Sequence, residues 1–144
     1  MTLMRQSLLV VGDNLKAREF ADSLAATGAS PATAPDEHVA LRFLQEAEAL
    51  PDGVVFIVPV YWEAVGGFVE KMRKDERLKE VPIIYLGDFI ESNDQLFLKR
   101  QGVHTLTLGP VPMAEAVRYV LRIIEGGPGP DFDIMHPKPS SNTI

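Results

Sequence analysis

Few residues in this chain have the type and spacing to do chemistry. There is no cysteine, which excludes a thiolate nucleophile, a thiolate metal site and a disulfide framework. His38, His104 and His136 fall in separate segments with no metal-ligand spacing, and each reads as a surface or helix-end residue. No serine, histidine and acid stand in a relation that would define a nucleophile with its base. Two aspartates sit at more promising places. Asp13 follows the first apolar run, residues 7–11, and Asp88 follows the fourth, residues 81–86. Acids beyond strand ends are where open α/β sheets collect cations and ligands. Magnesium takes one or two carboxylates plus waters and substrate oxygens; with no third ligand visible, these two read as solvated loop acids. The third apolar run, Val54-Val55-Phe56-Ile57-Val58, leads straight into Pro59-Val60-Tyr61-Trp62, with no acid between Asp52 and Glu63. Proline offers neither an oxygen nucleophile nor a titratable group.

The elements that must position these residues follow from the hydrophobic pattern. A chain of 144 residues, 46% hydrophobic and 24% charged, suits one globular domain with a real core. Residues 7–11 form a nearly unbroken apolar run, the mark of a strand covered on both faces. Asn14 is placed to cap a helix ending near Thr27-Gly28, with Ala17, Phe20, Ala21, Leu24 and Ala25 on one side. A weak strand over residues 29–34 contains Pro31, which suits a sheet edge. Asp36 caps the next helix, with Val39, Phe43 and Ala47 on one stripe and Ala40 and Leu44 beside it. The third strand spans 53–58, and a helix over 63–74 buries Val65, Phe68, Val69 and Met72. The fourth strand spans 81–86, a helix starts at Ser92 or Asn93, and a short fifth strand covers 105–108. Pro112 opens a last helix to Glu125 with Val117, Val120, Leu121 and Ile124 inward. Strand-helix pairs joined by short loops favour parallel pairing with right-handed crossovers. The expected fold is a doubly wound five-stranded parallel α/β sheet of flavodoxin-like topology, order 2-1-3-4-5. Residues 1–125 form the domain; 126–144, rich in glycine and proline and without periodicity, read as a linker or tail.

Charge narrows the partners. The net charge is −6 with 14 scattered lysines and arginines, whereas sequence-independent nucleic-acid binding needs clustered cations. Direct nucleic-acid binding is therefore not expected. The amino-terminal apolar run is too short for a signal-peptide core or a membrane span. Gly126 to Pro130 follows a helix and carries prolines, so it is not a phosphate loop. The mixed charges from Lys71 to Glu80 read as a solvated helix end and loop.

Three segments resemble the receiver domains of bacterial response regulators. Leu8-Leu9-Val10-Val11-Gly12-Asp13-Asn14 is similar to the family's first strand, which ends in paired acids. Phe68-Val69-Glu70-Lys71-Met72-Arg73-Lys74, with Val81-Pro82-Ile83-Ile84 after it, looks like the third helix leading into the fourth strand. Gly102-Val103-His104-Thr105-Leu106-Thr107-Leu108-Gly109-Pro110 resembles the segment that normally ends in Lys-Pro. The resemblance spans residues 7–125 and implies the same 2-1-3-4-5 sheet. Carried over by position, Gly12 takes one of the two metal-binding acidic places and Asp13 keeps the other. The phosphoacceptor aligns with Pro59, or with Val58 if the register slips by one. The hydroxyl residue that senses the phosphoryl group aligns with Gly87. The lysine that pairs with the phosphoryl charge aligns with Gly109, and the switching aromatic of the fifth strand aligns with Leu106. Five of these six side chains are gone, leaving a developing phosphoryl charge without a lysine or hydroxyl partner.

The expectation is a pseudo-receiver: no enzyme, no cofactor and no metal, but a cytoplasmic, phosphorylation-independent signalling domain that docks a protein partner or output domain. Tyr61, Trp62 and Phe89 lie on the loops beside the vacated site and either form a docking surface or pack inward to fill it. A second surface, from the fourth helix, fifth strand and fifth helix, is one that receivers use for dimerisation. Leu96, Phe97 and Leu98 cannot all face the core, and Met113, Tyr119 and Ile123 lie off the main stripe of the last helix. With Leu106, this surface would hold Leu96, Phe97 and Tyr119. An alternative is a small-ligand sensor, for example of a cyclic dinucleotide, using the vacated cleft with Arg5, Lys16 or Arg18 as weak cationic partners.

Overall fold

The computed structural model describes residues 6–57, 62–87, 92–107 and 111–126, apart from the side chains of Trp62, Glu63 and Ser92. Strands and helices alternate through them: β1 (Ser7–Val11), α1 (Leu15–Ala26), β2 (Ser30–Ala34), α2 (Glu37–Glu46), β3 (Gly53–Ile57), α3 (Trp62–Lys74), β4 (Ile83–Gly87), α4 (Ser92–Arg100), β5 (Val103–Thr107) and α5 (Met113–Ile124). All neighbouring strands pair in parallel, in the order β2-β1-β3-β4-β5. This is the doubly wound sheet expected from the alternating pattern, with its switch point between β1 and β3.

Because successive strand residues point to opposite faces, the core divides in two. On one face, Leu8, Val10, Val55, Ile57, Ile84, Leu86 and Leu106 pack against α1 and α5. On the other, Leu9, Val11, Val54, Phe56, Ile83, Tyr85 and Val103 meet α2, α3 and α4. Phe56 and Phe68 make an edge-to-face pair with ring centroids 4.9 Å apart. Side chains buried this completely contribute roughly 1.5–3 kcal/mol each. Both expected caps form: the Ala17 N–H donates to Asn14 Oδ1 at 2.8 Å and the Val39 N–H to Asp36 Oδ1 at 2.9 Å. Gly28, at φ +95°, turns the chain out of α1. Pro31 sits on the edge strand. Ser30 and Ala34, at even positions of the same strand, direct their backbone groups toward β1, through Ser30 N–H to Gln6 O and Gly12 N–H to Ala34 O, so Pro31 takes an outward position where the ladder needs no donor.

Some sequence expectations shift. The α2 stripe is rotated: Ala40 and Leu44 are buried, while Phe43 is 40% exposed. On α5, Ala116, Val117, Tyr119, Val120 and Ile123 are buried, and Leu121 and Ile124 are half-buried. β4 starts at Ile83 because Val81 closes the preceding turn, its N–H donating to the Leu78 carbonyl. β5 starts at Val103, two residues earlier than its apolar pattern implied. The charged run after α3 is not simply solvated. Leu78 is buried, and Arg77 reaches back to donate to the Leu44, Ala47 and Glu48 carbonyls at the end of α2. A guanidinium there satisfies carbonyls that a helix terminus leaves open. The tail from residue 127 onward lies outside the described residues.

Candidate functional site

The carboxyl ends of the strands gather along one edge. Val11 lies between Ala34 and Phe56 in the register, Ile57 beside Leu86, and Gly87 beside Thr107. Of the positions carried over from receivers, the structure describes Gly12, Asp13, Gly87 and Leu106. Pro59 and Gly109 lie outside the described residues, as do Tyr61, Phe89, Asp88 and the Trp62 side chain.

Gly12 is held by backbone and crowded by its neighbours. Its N–H donates to the Ala34 carbonyl at 2.9 Å. A Cβ added there would stand 3.0 Å from Ala17 Cβ and 3.2 Å from the Ile57 carbonyl oxygen. Those distances are too tight to admit a carboxylate without displacing α1 or the end of β3. Asp13, next along, is exposed. Gly87 is buried at the end of β4 and brings no hydroxyl. Among the described residues, no three His, Cys, Asp or Glu side chains come together where a metal ion would be held.

A cleft of about 260 Å³ opens beside Gly12, lined by Asp13, Asn14, Arg18, Thr33 and Pro35. It lies between the β1–α1 and β2–α2 connections, on the β2 side of the edge. One acid, one guanidinium and one hydroxyl face it, which is a binding inventory with no paired base and nucleophile.

The second expected surface is corrected by burial. Leu106 is 2% exposed and sits in the core between the sheet and α5. Tyr119 is 5% exposed, with its hydroxyl donating to the Thr105 carbonyl at 3.0 Å. Neither side chain lies on a docking face, because α5 is rotated to bring Tyr119 and Ile123 inward. Of the three consecutive apolar residues on α4, Leu98 is buried, Phe97 is 38% exposed and Leu96 is 47% exposed. The Phe97 ring lies over Gly66 of α3, 3.1 Å from where a Cβ would stand, so Leu96 is the freest of the three.

Sequence reasoning missed the polar ties on this flank. Gln95 Nε2 donates to Thr105 Oγ1 at 3.2 Å, so one β5 residue fastens both α4 and α5. His104, on the same strand, faces outward, yet its imidazole is pushed below the usual value. Partial burial is the larger cause and the nearby Arg73 charge adds to it. Arg73 itself is anchored by donating to the Lys79 and Val81 carbonyls. His38 is exposed beside Glu37, and His136 lies outside the described residues.

The chain matches no protein-family model and no curated protein sequence. Solved structures do resemble it. A chemotaxis protein of Vibrio cholerae, CheY4, is 21% identical with a TM-score of 0.70, over 83% of this chain and 99% of that one. A response regulator receiver protein from Pseudomonas putida is 19% identical with a TM-score of 0.70, over 84% and 99%. The receiver domain of a sensor histidine kinase from Pseudomonas aeruginosa PAO1, with magnesium coordinated in its active-site cleft, is 23% identical with a TM-score of 0.67, over 85% and 99%. The likeness establishes the receiver fold for residues that cover most of the chain. Among the described residues, no helix is long and apolar enough to cross a membrane.

Proposed function

We propose that this chain is a pseudo-receiver: a phosphorylation-independent signalling domain, acting in the cytoplasm by docking a protein partner or output domain rather than by catalysis. The observation that carries the reading is position 12. Ala17 and the Ile57 carbonyl crowd that place, so that a side chain there must push them back by a few tenths of an ångström, and the sequence supplies no acid from Gly53 to Trp62. The Pseudomonas aeruginosa receiver domain holds magnesium in its cleft; here Asp13 alone keeps one of the three acidic places, and magnesium held by a single carboxylate has little to retain it. Gly87 and Gly109 supply neither hydroxyl nor ammonium to a phosphoryl group, and Pro59 cannot accept one. The domain therefore presents surfaces. Tyr61, Trp62 and Phe89 are the anchors proposed for a partner, since aromatic side chains bring large contact area with a polar tip. Leu96 and Phe97 on α4 are the apolar contacts proposed for a homodimer through α4, β5 and α5.

The direct test is to add magnesium with beryllofluoride or acetyl phosphate and follow amide resonances around Gly12, Gly87 and Leu106. The proposal expects no saturable change; a saturable, Asp13-dependent change sinks it. Sedimentation at increasing concentration, with Leu96→Glu as comparison, reads self-association.

The cleft beside Gly12 favours one second reading, a sensor for a small ligand. Its volume of about 260 Å³ lies below the roughly 300–1,000 Å³ of ordinary ligand pockets, so it would take a small anion or one end of a cyclic dinucleotide against Arg18. Thermal-shift screening against cyclic dinucleotides tests this; no stabilisation removes the reading.

A further inference from the structure

On the face opposite α4, α1 and α5 leave an apolar groove of about 350 Å³ between Ser23, Ala26 and Thr27 of the first helix and Val117, Arg118 and Leu121 of the second. We propose that this groove is the seat of the chain's own tail, occupied by the segment Asp131-Phe132-Asp133-Ile134-Met135.

Reach, chain direction and charge all favour this occupant. The helix α5 ends with Glu125 as cap, and Gly126 follows at φ +77°, a left-handed glycine that turns the chain off the helix axis. The α5 residues that line the groove, Ala114, Val117, Arg118 and Leu121, lie five to twelve residues back from Gly126, about 8–18 Å at the helical rise. The six steps from Gly126 to Phe132 span up to about 20 Å when extended, enough to double back. That spacer, Gly127-Pro128-Gly129-Pro130, alternates the residue that turns most freely with the one that keeps a chain extended.

The composition of the segment fits the groove. Phe132, Ile134 and Met135 are its apolar residues, and they are the first apolar side chains after α5. Asp131 and Asp133 flank Phe132, while Arg118 and Arg122 stand one turn apart on α5, both exposed. Arg118 shares its charge with Glu115 at 3.0 Å, a surface pair weak enough to be shared with a second carboxylate. A tether this short sets an effective concentration of order millimolar. An apolar contact too weak to hold a free peptide is then occupied within the chain, and a partner for the α1–α5 face must first displace the tail.

The test uses the full chain. Because it has no cysteine, Asp22→Cys, an exposed site on α1 outside the groove lining, takes a single nitroxide label. Amide signals of residues 132–135 should broaden strongly and those of residues 140–143 weakly, and Phe132→Ser should abolish the difference. Equal broadening along the tail, or broadening that persists in Phe132→Ser, overturns the proposal. So does comparable broadening when labelled and isotope-enriched molecules are mixed as separate chains, which would make a second copy the occupant.

Discussion

At the carboxyl ends of the strands, the described positions 12 and 87 are glycines without a side-chain donor or acceptor; on the β5 flank, polar side chains are tied together. Gly12 is crowded by Ala17 and Ile57, whereas Thr105 takes a hydrogen bond from Gln95 and another from Tyr119. The strand ends have no side-chain chemistry at positions 12 and 87, and the flank carries groups that hold elements in register. Positioning and reactivity are thus separable demands on this fold.

The largest expected effect tests neither region but the layer beneath both. Phe56→Ala empties a fully buried site against Phe68, and urea unfolding should show a loss of about 3–5 kcal/mol. Gly12→Asp puts back an acid at the edge. It should cost about 1–3 kcal/mol through overcrowding, and titration should still show no magnesium-dependent change in the amide spectrum. A variant that folds as well as the parent and binds magnesium would break the contrast between edge and flank. Tyr119→Phe removes the flank's bond to the Thr105 carbonyl and should cost about 1 kcal/mol, also read by urea. A neutral result would mean that the flank's polar ties are incidental.

The smallest effect is a pH dependence. His104 is held below its usual pKa by partial burial and then by Arg73, so the folded state binds fewer protons than the unfolded chain as pH falls through about 6.5. Its contribution is present above that value and declines below it. His104→Gln should flatten that part of the stability profile, measured as urea midpoints on either side of the transition.

The fold was legible where local and periodic signals agree. Asn14 and Asp36 announce their helices by side-chain chemistry alone, and the apolar runs of β1, β3 and β4 announce strands covered on both faces. The rotation of α2 and α5 was not, because Phe43 and Tyr119 are each large enough to face either way. What decides is the neighbour across the sheet: the Thr105 carbonyl draws Tyr119 inward, and Phe43 is left exposed while Leu44 takes the core place. Arg77 was equally hidden, since its partners are backbone carbonyls about thirty positions earlier in the chain. At the candidate site the glycines at positions 12 and 87 could be read from residue type, but the crowding at position 12 depends on Ala17 and Ile57 meeting in space.

Pro31 has a consequence for how copies of this chain can meet. A parallel sheet with an open edge invites another strand to extend it, and proteins guard against such templated growth. Along the outer rim of β2, the alternation set by Ser30 and Ala34 leaves only residues 31 and 33 facing away from β1. With no N–H at Pro31, an incoming strand finds a single donor, at Thr33. Lateral fusion into a continuous sheet is therefore starved of bonds along the β2 rim.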